Sequence, residues 1–269
     1  MKRILSVILL VTVFVLALTL SGCGDAKKQD SWQAIKEKGE FVLGLDDSFP
    51  PMGFRDENGE ITGFDIDLAK EVCARLGVDL KLQPISWDAK EQELNTKNID
   101  CIWNGLTITP EREETILFSE PYMNNRQILV VQSDSSFTVL SDLAGKKLGL
   151  QAGSSAMDAL NSSAEFKAAL GTIVEFNDNM TALMDLEMGG LDVVLMDEIV
   201  ARFYIQQKNK GYSVLDQDLA GEEYGIGFRK NDQELRDKFQ ETLEEMTADG
   251  TTAEISNKWF GEDISVISK

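Results

Sequence analysis

One short segment of the sequence, DCIWNGLTITPER at 100–112, combines residue types that bind an anion. Thr107 and Thr109 alternate with aliphatic residues, so both hydroxyls face one side of an extended segment. Thr109 is a favoured N-cap and Pro110 suits the first helical position, so a helix with unpaired N–H donors is predicted to begin there. Arg112 falls in its first turn. Hydroxyls, backbone donors and a guanidinium in one place indicate a carboxylate site.

The position of Arg112 separates two interpretations of this segment. A cation near a helix N-terminus opposes the helix macrodipole, which suggests that the guanidinium serves a ligand rather than the helix. In the alternative, the segment is only a well-capped helix. Arg112 then offsets the acidic side chains beside it, Glu111, Glu113 and Glu114.

The elements around this segment predict an α/β unit. Hydrophobic periodicity indicates strand, helix, strand, helix and strand, in that order, at 41–46, 63–77, 78–85, 88–95 and 99–103. This order predicts parallel strands with helices on both faces, and in such sheets ligands bind beyond the carboxyl ends of the strands.

A second α/β unit follows in the sequence. Its strands are predicted, with helices between them, at 128–132, 146–151, 172–176, 191–197 and 223–230. The segment AGSS, with Gly153, Ser154 and Ser155, opens one of the helices and is a second anion-binding arrangement. A cleft between the two units is therefore the expected site.

The N-terminus has the pattern of an export signal. A basic start precedes an aliphatic run over 4–20, and small residues lead to Cys23. A transmembrane helix is the alternative, but no charged stop follows the run. The ending LSGC resembles the lipobox of bacterial lipoproteins, which implies a signal peptide over 1–22, a lipid on Cys23 and an anchored linker over 23–34.

Charge and composition exclude several classes of function. The net charge is −20, and loss of Lys2 and Arg3 with the signal peptide changes it to −22. Nucleic acid is therefore not an expected partner. The sequence has no histidine and no cysteine pair at metal-ligand spacing, so zinc chemistry and a histidine-based triad are excluded. We expect neither a metal nor a cofactor.

Cys73 and Cys101 are the remaining cysteines, and the sequence leaves their state open. In an oxidising compartment a disulfide between them would close a loop of about 28 residues and stabilise the fold by about 3.5 kcal/mol on the chain-entropy model. Alternatively both are free thiols, because each lies in an apolar segment where cysteine packs as a small hydrophobe.

The order and spacing of seven segments indicate a resemblance to a known family. These segments are LGLDDSFPPMGF, GFDIDLAKEV, IDCIWNGLTITPER, FSEPY, LGLQAGSS, LDVVLMDE and GIGFRK. Over 41–260 the chain resembles the polar amino-acid-binding proteins of bacterial ABC importers. The resemblance implies an α/β, two-lobe periplasmic-binding-protein fold (type II) with a hinge of two crossing strands. The implied lobes are 35–126 together with 222–269, and 127–221.

The resemblance also implies how the backbone of a free amino acid is held. Arg112 is expected to grip the α-carboxylate, with Thr107 and Ser155 as further donors. Asp197 is expected to hold the α-ammonium, helped by the carbonyl of Gly105. Without the family context, Asp197 is equally consistent with a helix N-cap.

The side chain of the ligand is expected to meet a second group of residues. Phe49 and Phe64 match the aromatic pair that sandwiches it, although aromatic residues at such positions are usually core. Asp46 matches an acidic residue that meets a polar side-chain end. Asn104 is also expected in the site, at a position where some basic-amino-acid binders have a serine. Ser154 is the last expected site residue, either as a ligand contact or as a simple helix cap.

These expectations favour a lipid-anchored receptor outside the cytoplasmic membrane. It would capture a free L-amino acid with a basic or amide side chain, or cystine, and deliver it as a monomer to the permease and ATPase subunits of an ABC importer. One alternative is an enzyme on the same fold, such as a dehydratase of a cyclic amino or keto acid with Asp46 as general acid. A ligand-sensing receptor subunit is the other.

Overall fold

The structure is a computed structural model that describes residues 30–208 and 211–267. The predicted signal peptide and the expected lipidation site, Cys23, lie outside these residues. Within the described ranges, no helix combines the length and apolar character needed to cross a bilayer.

The strands of the described residues are β1 (Glu40–Leu45), β2 (Ser48–Phe49), β3 (Gly53–Arg55), β4 (Ile61–Thr62), β5 (Asp79–Pro84), β6 (Cys101–Ile102), β7 (Ile116–Phe118), β8 (Met123–Gln132), β9 (Lys147–Gln151), β10 (Thr172–Phe176), β11 (Val193–Asp197), β12 (Tyr212–Val214), β13 (Ala220–Tyr224) and β14 (Gly227–Arg229). The helices are α1 (Trp32–Lys38), α2 (Phe64–Leu76), α3 (Lys90–Asn95), α4 (Pro110–Thr115), α5 (Ala156–Ser162), α6 (Ala164–Ala169), α7 (Asn179–Glu187), α8 (Glu198–Lys208), α9 (Gln233–Asp249) and α10 (Thr251–Phe260). Short 3-10 turns cover Trp87–Ala89 and Leu140–Leu143.

The first lobe contains a sheet with the strand order β5-β1-β6-β14-β7. β1 pairs in parallel with both β5 and β6, as the predicted alternation of strands and helices requires. β14 arrives from the C-terminal part of the chain and pairs antiparallel with β6 and β7. α9 and α10 pack on α2, so this lobe takes segments from both ends of the described chain.

The second lobe contains a sheet with the order β10-β9-β11-β8-β12. β9 pairs in parallel with β10 and β11, whereas β8 pairs antiparallel with β11 and β12. The carboxyl ends of β9 and β11 carry Gln151 and Asp197. Both residues therefore lie on the sheet edge where ligands bind in α/β proteins.

Two long connections join the lobes. β8 and β13 pair antiparallel from Met123↔Tyr224 to Gln127↔Ala220, which forms a two-stranded ribbon between the sheets. Beside it, Thr107 of the first lobe bridges to Tyr224. The expected two-lobe α/β architecture with two crossing strands is confirmed. A three-stranded sheet, β2-β3-β4, lies between β1 and α2, where the sequence analysis predicted no strand.

Cys73 and Cys101 are free thiols in the main hydrophobic core. The disulfide alternative therefore does not hold in this structure. Both side chains pack as small hydrophobes, and burial raises the pKa of Cys73 to about 12. The same cause raises the pKa of Cys101.

Candidate ligand-binding site

A cavity of about 210 Å³, its mouth included, lies between the two lobes. The first lobe lines it with Phe49, Trp87, Gly105, Thr107 and Arg112, and the second lobe with Gln151, Ser154, Ser155 and Asp197. Seven of these nine were predicted from the sequence to lie in the site, namely Phe49, Gly105, Thr107, Arg112, Ser154, Ser155 and Asp197. The cavity is therefore built mainly of polar and charged groups from both lobes.

Arg112 is placed by the helix start that the sequence predicted. The Thr109 hydroxyl accepts a hydrogen bond from the Arg112 N–H at 3.2 Å, and Pro110 begins α4. The guanidinium is only 7% exposed, and it donates to two backbone carbonyls, those of Thr107 at 2.8 Å and Gly153 at 3.2 Å. Among the described residues no carboxylate lies within ion-pair distance of it, and burial lowers its pKa. A buried cation without an anion marks the place of a carboxylate.

Hydroxyl groups from both lobes meet beside Arg112. Thr107 Oγ1 and Ser155 Oγ are 3.0 Å apart, and the Gln127 amide donates to Ser155 Oγ at 3.3 Å. Ser154 lines the same cavity, but its hydroxyl donates to the carbonyl of Gln151 at 2.8 Å. Thr107 and Ser155 thus form a hydroxyl pair across the two lobes, and Thr107 Oγ1 also donates to Glu222 Oε2 at 3.2 Å.

Asp197 supplies the opposite charge. Its carboxylate is 4% exposed and accepts hydrogen bonds from the Tyr224 hydroxyl at 2.6 Å and from Asn125 Nδ2 at 2.8 Å. Burial, and next the nearby carboxylate of Glu222, raise the pKa of Asp197 to about 7. The side chain forms no ion pair among the described residues, so the site favours a cation at this end.

Gly105 forms a bend in the wall of the cavity. Its φ is +58°, and its N–H donates to the buried Asp65 carboxylate at 2.8 Å. A Cβ at this position would lie 2.7 Å from the ring of Phe49. Glycine is therefore required both for the left-handed backbone and for the close approach of the chain to the cavity wall.

The aromatic wall differs from the expected pair. Phe49 lines the cavity, but Phe64 is fully buried and packs against the rings of Phe260 and Tyr122, with centroids 5.1 Å and 6.4 Å away. Phe64 therefore does not line this cavity, because the first residue of α2 faces the core. Trp87 provides the second aromatic wall.

Asp46 and Asn104 lie behind the cavity wall rather than in it. Asp46 accepts hydrogen bonds from Ser48 and, across the cleft, from the Gln151 amide at 2.7 Å. Asn104 Oδ1 accepts from the Asp46 N–H at 3.1 Å, so Asn104 fixes the loop that carries Asp46. Asn104 therefore does not line this cavity, and Asp46 contacts the lining residue Gln151.

Trp87 and Gln151 are the cavity residues that the sequence analysis missed. Each follows or ends a predicted parallel strand, Trp87 after β5 and Gln151 at the end of β9. The rule that ligands bind beyond the carboxyl ends of such strands would have found both.

Comparison with known proteins identifies the same architecture. The pattern of the bacterial extracellular solute-binding proteins, family 3, matches residues 41–262. The chain is 31% identical to the L-cystine-binding protein TcyJ of Escherichia coli, over 86% of each chain. It is 31% identical to the L-arginine-binding protein of Pseudomonas aeruginosa, over 82% of this chain and 88% of that one. An ABC uptake transporter substrate-binding protein from Streptococcus pneumoniae with bound histidine superimposes with a TM-score of 0.86 at 38% identity, over 88% of this chain and 98% of that one.

Proposed function

This chain belongs to the bacterial extracellular solute-binding proteins, family 3, and we propose that it captures a free polar L-amino acid between its lobes for uptake by an ABC importer. One observation carries the proposal. Arg112 and Asp197 are buried in the same cavity with opposite charges, and neither forms an ion pair among the described residues. A zwitterion with a carboxylate and an ammonium on one carbon atom satisfies both groups at once.

The proposed contacts follow from the positions of the polar groups. Arg112 binds the α-carboxylate with Thr107 and Ser155 as further donors, and Asp197 with Gly105 binds the α-ammonium. Phe49 and Trp87 enclose the aliphatic part of the ligand. These assignments use the groups that line the cavity and leave Phe64 and Asn104 as supporting residues.

The contact between Asp46 and Gln151 favours a ligand with a basic or amide side chain. The Asp46 carboxylate is buried, and Gln151 donates an amide N–H to it from the other lobe. A guanidinium, imidazolium or amide donor of a ligand has the chemistry to take over this contact. Among similar proteins the names include arginine-, histidine- and cystine-binding proteins. We propose arginine and histidine as the first ligands to test, followed by cystine.

A binding role is also favoured over the dehydratase alternative. The similar proteins are binding proteins by name. Asp46, the general acid of that alternative, already accepts hydrogen bonds from Ser48 and Gln151. No bond of the ligand is expected to form or break.

The exported location of the family supports an assignment for the N-terminus. We keep the sequence-based assignments of a signal peptide over 1–22, a lipid on Cys23 and a linker over 23–34. The lobes run over 35–126 with 222–269, and over 127–221. The protein is then anchored at the outer face of the cytoplasmic membrane and meets permease and ATPase subunits there as a monomer.

A thermal-shift screen tests the function. The purified protein is heated with each proteinogenic amino acid and with cystine, and a ligand at 100 times its dissociation constant stabilises the protein by about 2.7 kcal/mol. Arginine or histidine is expected to raise the melting temperature by several degrees. If no amino acid raises the melting temperature, the receptor function is wrong.

A further inference from the structure

Lys90, at the start of α3, is a buried cation that the proposed ligand contacts do not use. It is 4% exposed. Its Nζ donates to the carbonyl of Gly153 in the second lobe at 2.7 Å and to the carbonyl of Trp87 in its own lobe at 3.2 Å. The ammonium also lies 5.2 Å from the Trp87 ring centroid. Its hydrogen bonds within the described chain thus go to neutral backbone groups.

Lys90 and Arg112 converge on one oxygen atom. The carbonyl of Gly153 accepts from Lys90 Nζ at 2.7 Å and from an Arg112 guanidinium nitrogen at 3.2 Å. Two like charges therefore lie close together at the carboxylate end of the cavity, and each raises the cost of burying the other.

Closure of the lobes creates this arrangement. Gly153 belongs to the second lobe, whereas Lys90 and Arg112 belong to the first, so separation of the lobes breaks both contacts to this carbonyl and leaves each cation with one hydrogen bond in its own lobe. Burial, and next the charge of Arg112, lower the pKa of Lys90 to about 8 in the closed lobes. The charged groups that face Lys90 from the surrounding elements are Arg112, Glu91, Asp158 and Asp88. None of the three carboxylates is within ion-pair distance.

We propose that Lys90 is a positioning residue that makes closure depend on the ligand's carboxylate. Its buried ammonium opposes closure of the empty lobes, and a carboxylate held by Arg112 offsets that opposition. The inference rests on the proposed amino-acid ligand and adds a second cation to its carboxylate subsite. The protein would thereby present a closed surface to the importer chiefly when the cavity is occupied.

In an alternative role, Lys90 would hold the lobes together, and its removal would change the ligand-free protein in the opposite direction. If the hydrogen bond from Lys90 to Gly153 held the lobes together, its removal would open them. If the buried charge keeps the empty lobes apart, its removal closes them. The direction of the change in the ligand-free protein therefore separates the two roles.

The test compares Lys90→Met, which keeps an unbranched side chain one atom shorter and removes its charge, with Lys90→Arg and wild type. Lys81→Met, on the exposed edge strand β5, is the matched control. Small-angle X-ray scattering of the ligand-free proteins is expected to show a smaller radius of gyration for Lys90→Met alone. Raising the pH from 8 to 10 is expected to compact the wild type and to leave Lys90→Met unchanged, since only the wild type loses this charge.

Calorimetry with arginine and with argininamide provides the second measurement. The preference of Lys90→Met for carboxylate over carboxamide is expected to fall at least about fivefold relative to wild type, while Lys90→Arg retains it. An unchanged or larger radius of gyration for ligand-free Lys90→Met overturns the inference, and so does an unchanged carboxylate preference. Failure of every amino acid to bind wild type is a different result, because it overturns the proposed function itself.

Discussion

The side-chain amide of Gln151 in the second lobe donates a 2.7 Å hydrogen bond to the carboxylate of Asp46 in the first. Asn179 donates in turn to Gln151 Oε1 at 3.2 Å, so the amide orientation is fixed from behind. This contact joins the two lobes, and Gln151 also lines the cavity. The Asp46 carboxylate therefore accepts a hydrogen bond from the second lobe when the lobes are together. A donor group of a ligand has the chemistry to replace the Gln151 amide in this hydrogen bond.

Asp46→Asn tests this contact as a determinant of specificity. We expect arginine to bind about 10- to 100-fold more weakly, because a hydrogen bond to an ionised group contributes about 1.5–3 kcal/mol. Glutamine, which has a neutral end, is expected to lose less. Isothermal titration calorimetry with both ligands measures the difference. Asp47→Asn is the control, since Asp47 pairs with Arg55 outside the cavity. Equal losses for arginine and glutamine would contradict the prediction.

Gly153→Ala tests whether binding requires full closure. A Cβ at Gly153 would lie 2.7 Å from Asp88 Cα in the other lobe, so the lobes must stay further apart. Ligand affinity is expected to fall at least about tenfold, which corresponds to about 1.4 kcal/mol.

The matched control for this substitution is Gly145→Ala. Gly145 has a similar φ, +73°, and nothing within 4 Å of a Cβ, so it carries the same backbone strain without contact between lobes. Both variants are expected to lose similar thermal stability, and only Gly153→Ala is expected to lose affinity. Equal affinity of the two variants would exclude a closure requirement at this contact.

Ligand binding is expected to weaken in acid because of Asp197. Its pKa is raised to about 7 in the empty closed lobes, and a bound ammonium favours the ionised form, so binding releases a proton. Affinity is then full above pH 7 and falls by up to about tenfold per pH unit below it. Calorimetric titrations between pH 5 and 8 measure this slope.

Tyr224→Phe provides a check on the origin of that pH dependence. The Tyr224 hydroxyl donates to the Asp197 carboxylate at 2.6 Å and so lowers its pKa. Without the hydroxyl, the pH at which affinity begins to fall is expected to move upward. If affinity begins to fall at the same pH in Tyr224→Phe as in wild type, a group other than Asp197 controls the loss of affinity in acid.

Cys73 and Cys101 are expected to titrate as two free thiols in denatured, unreduced protein. In the native protein both should resist thiol reagents, because they are buried and burial raises the pKa of each. The titration is made with a chromogenic thiol reagent with and without denaturant. A count of zero for these two residues in denaturant would show that they are bridged.

The local signals in the sequence predicted the parts of the site that depend on backbone structure. Thr109 and Pro110 do start a helix, and this start places Arg112 at the cavity. The strand predicted at 191–197 does end at Asp197, as β11 shows. Side-chain direction was harder, because Phe64 and Trp87 are both aromatic residues at element starts and only packing decides which one faces the core. Contacts between lobes, such as Gln151 with Asp46, depend on how two separate units meet, which no local pattern encodes.

In the proposed function Arg112 binds the carboxylate of the ligand. Calorimetric titration of Arg112→Ala with the best ligand from the thermal-shift screen tests this contact most directly. The wild type is expected to bind with a measurable heat. Arg112→Ala is expected to give no saturable binding while its ligand-free melting temperature stays within a few degrees of wild type. If Arg112→Ala binds the ligand with an unchanged dissociation constant, Arg112 is only a residue of a capped helix and the proposed site is wrong.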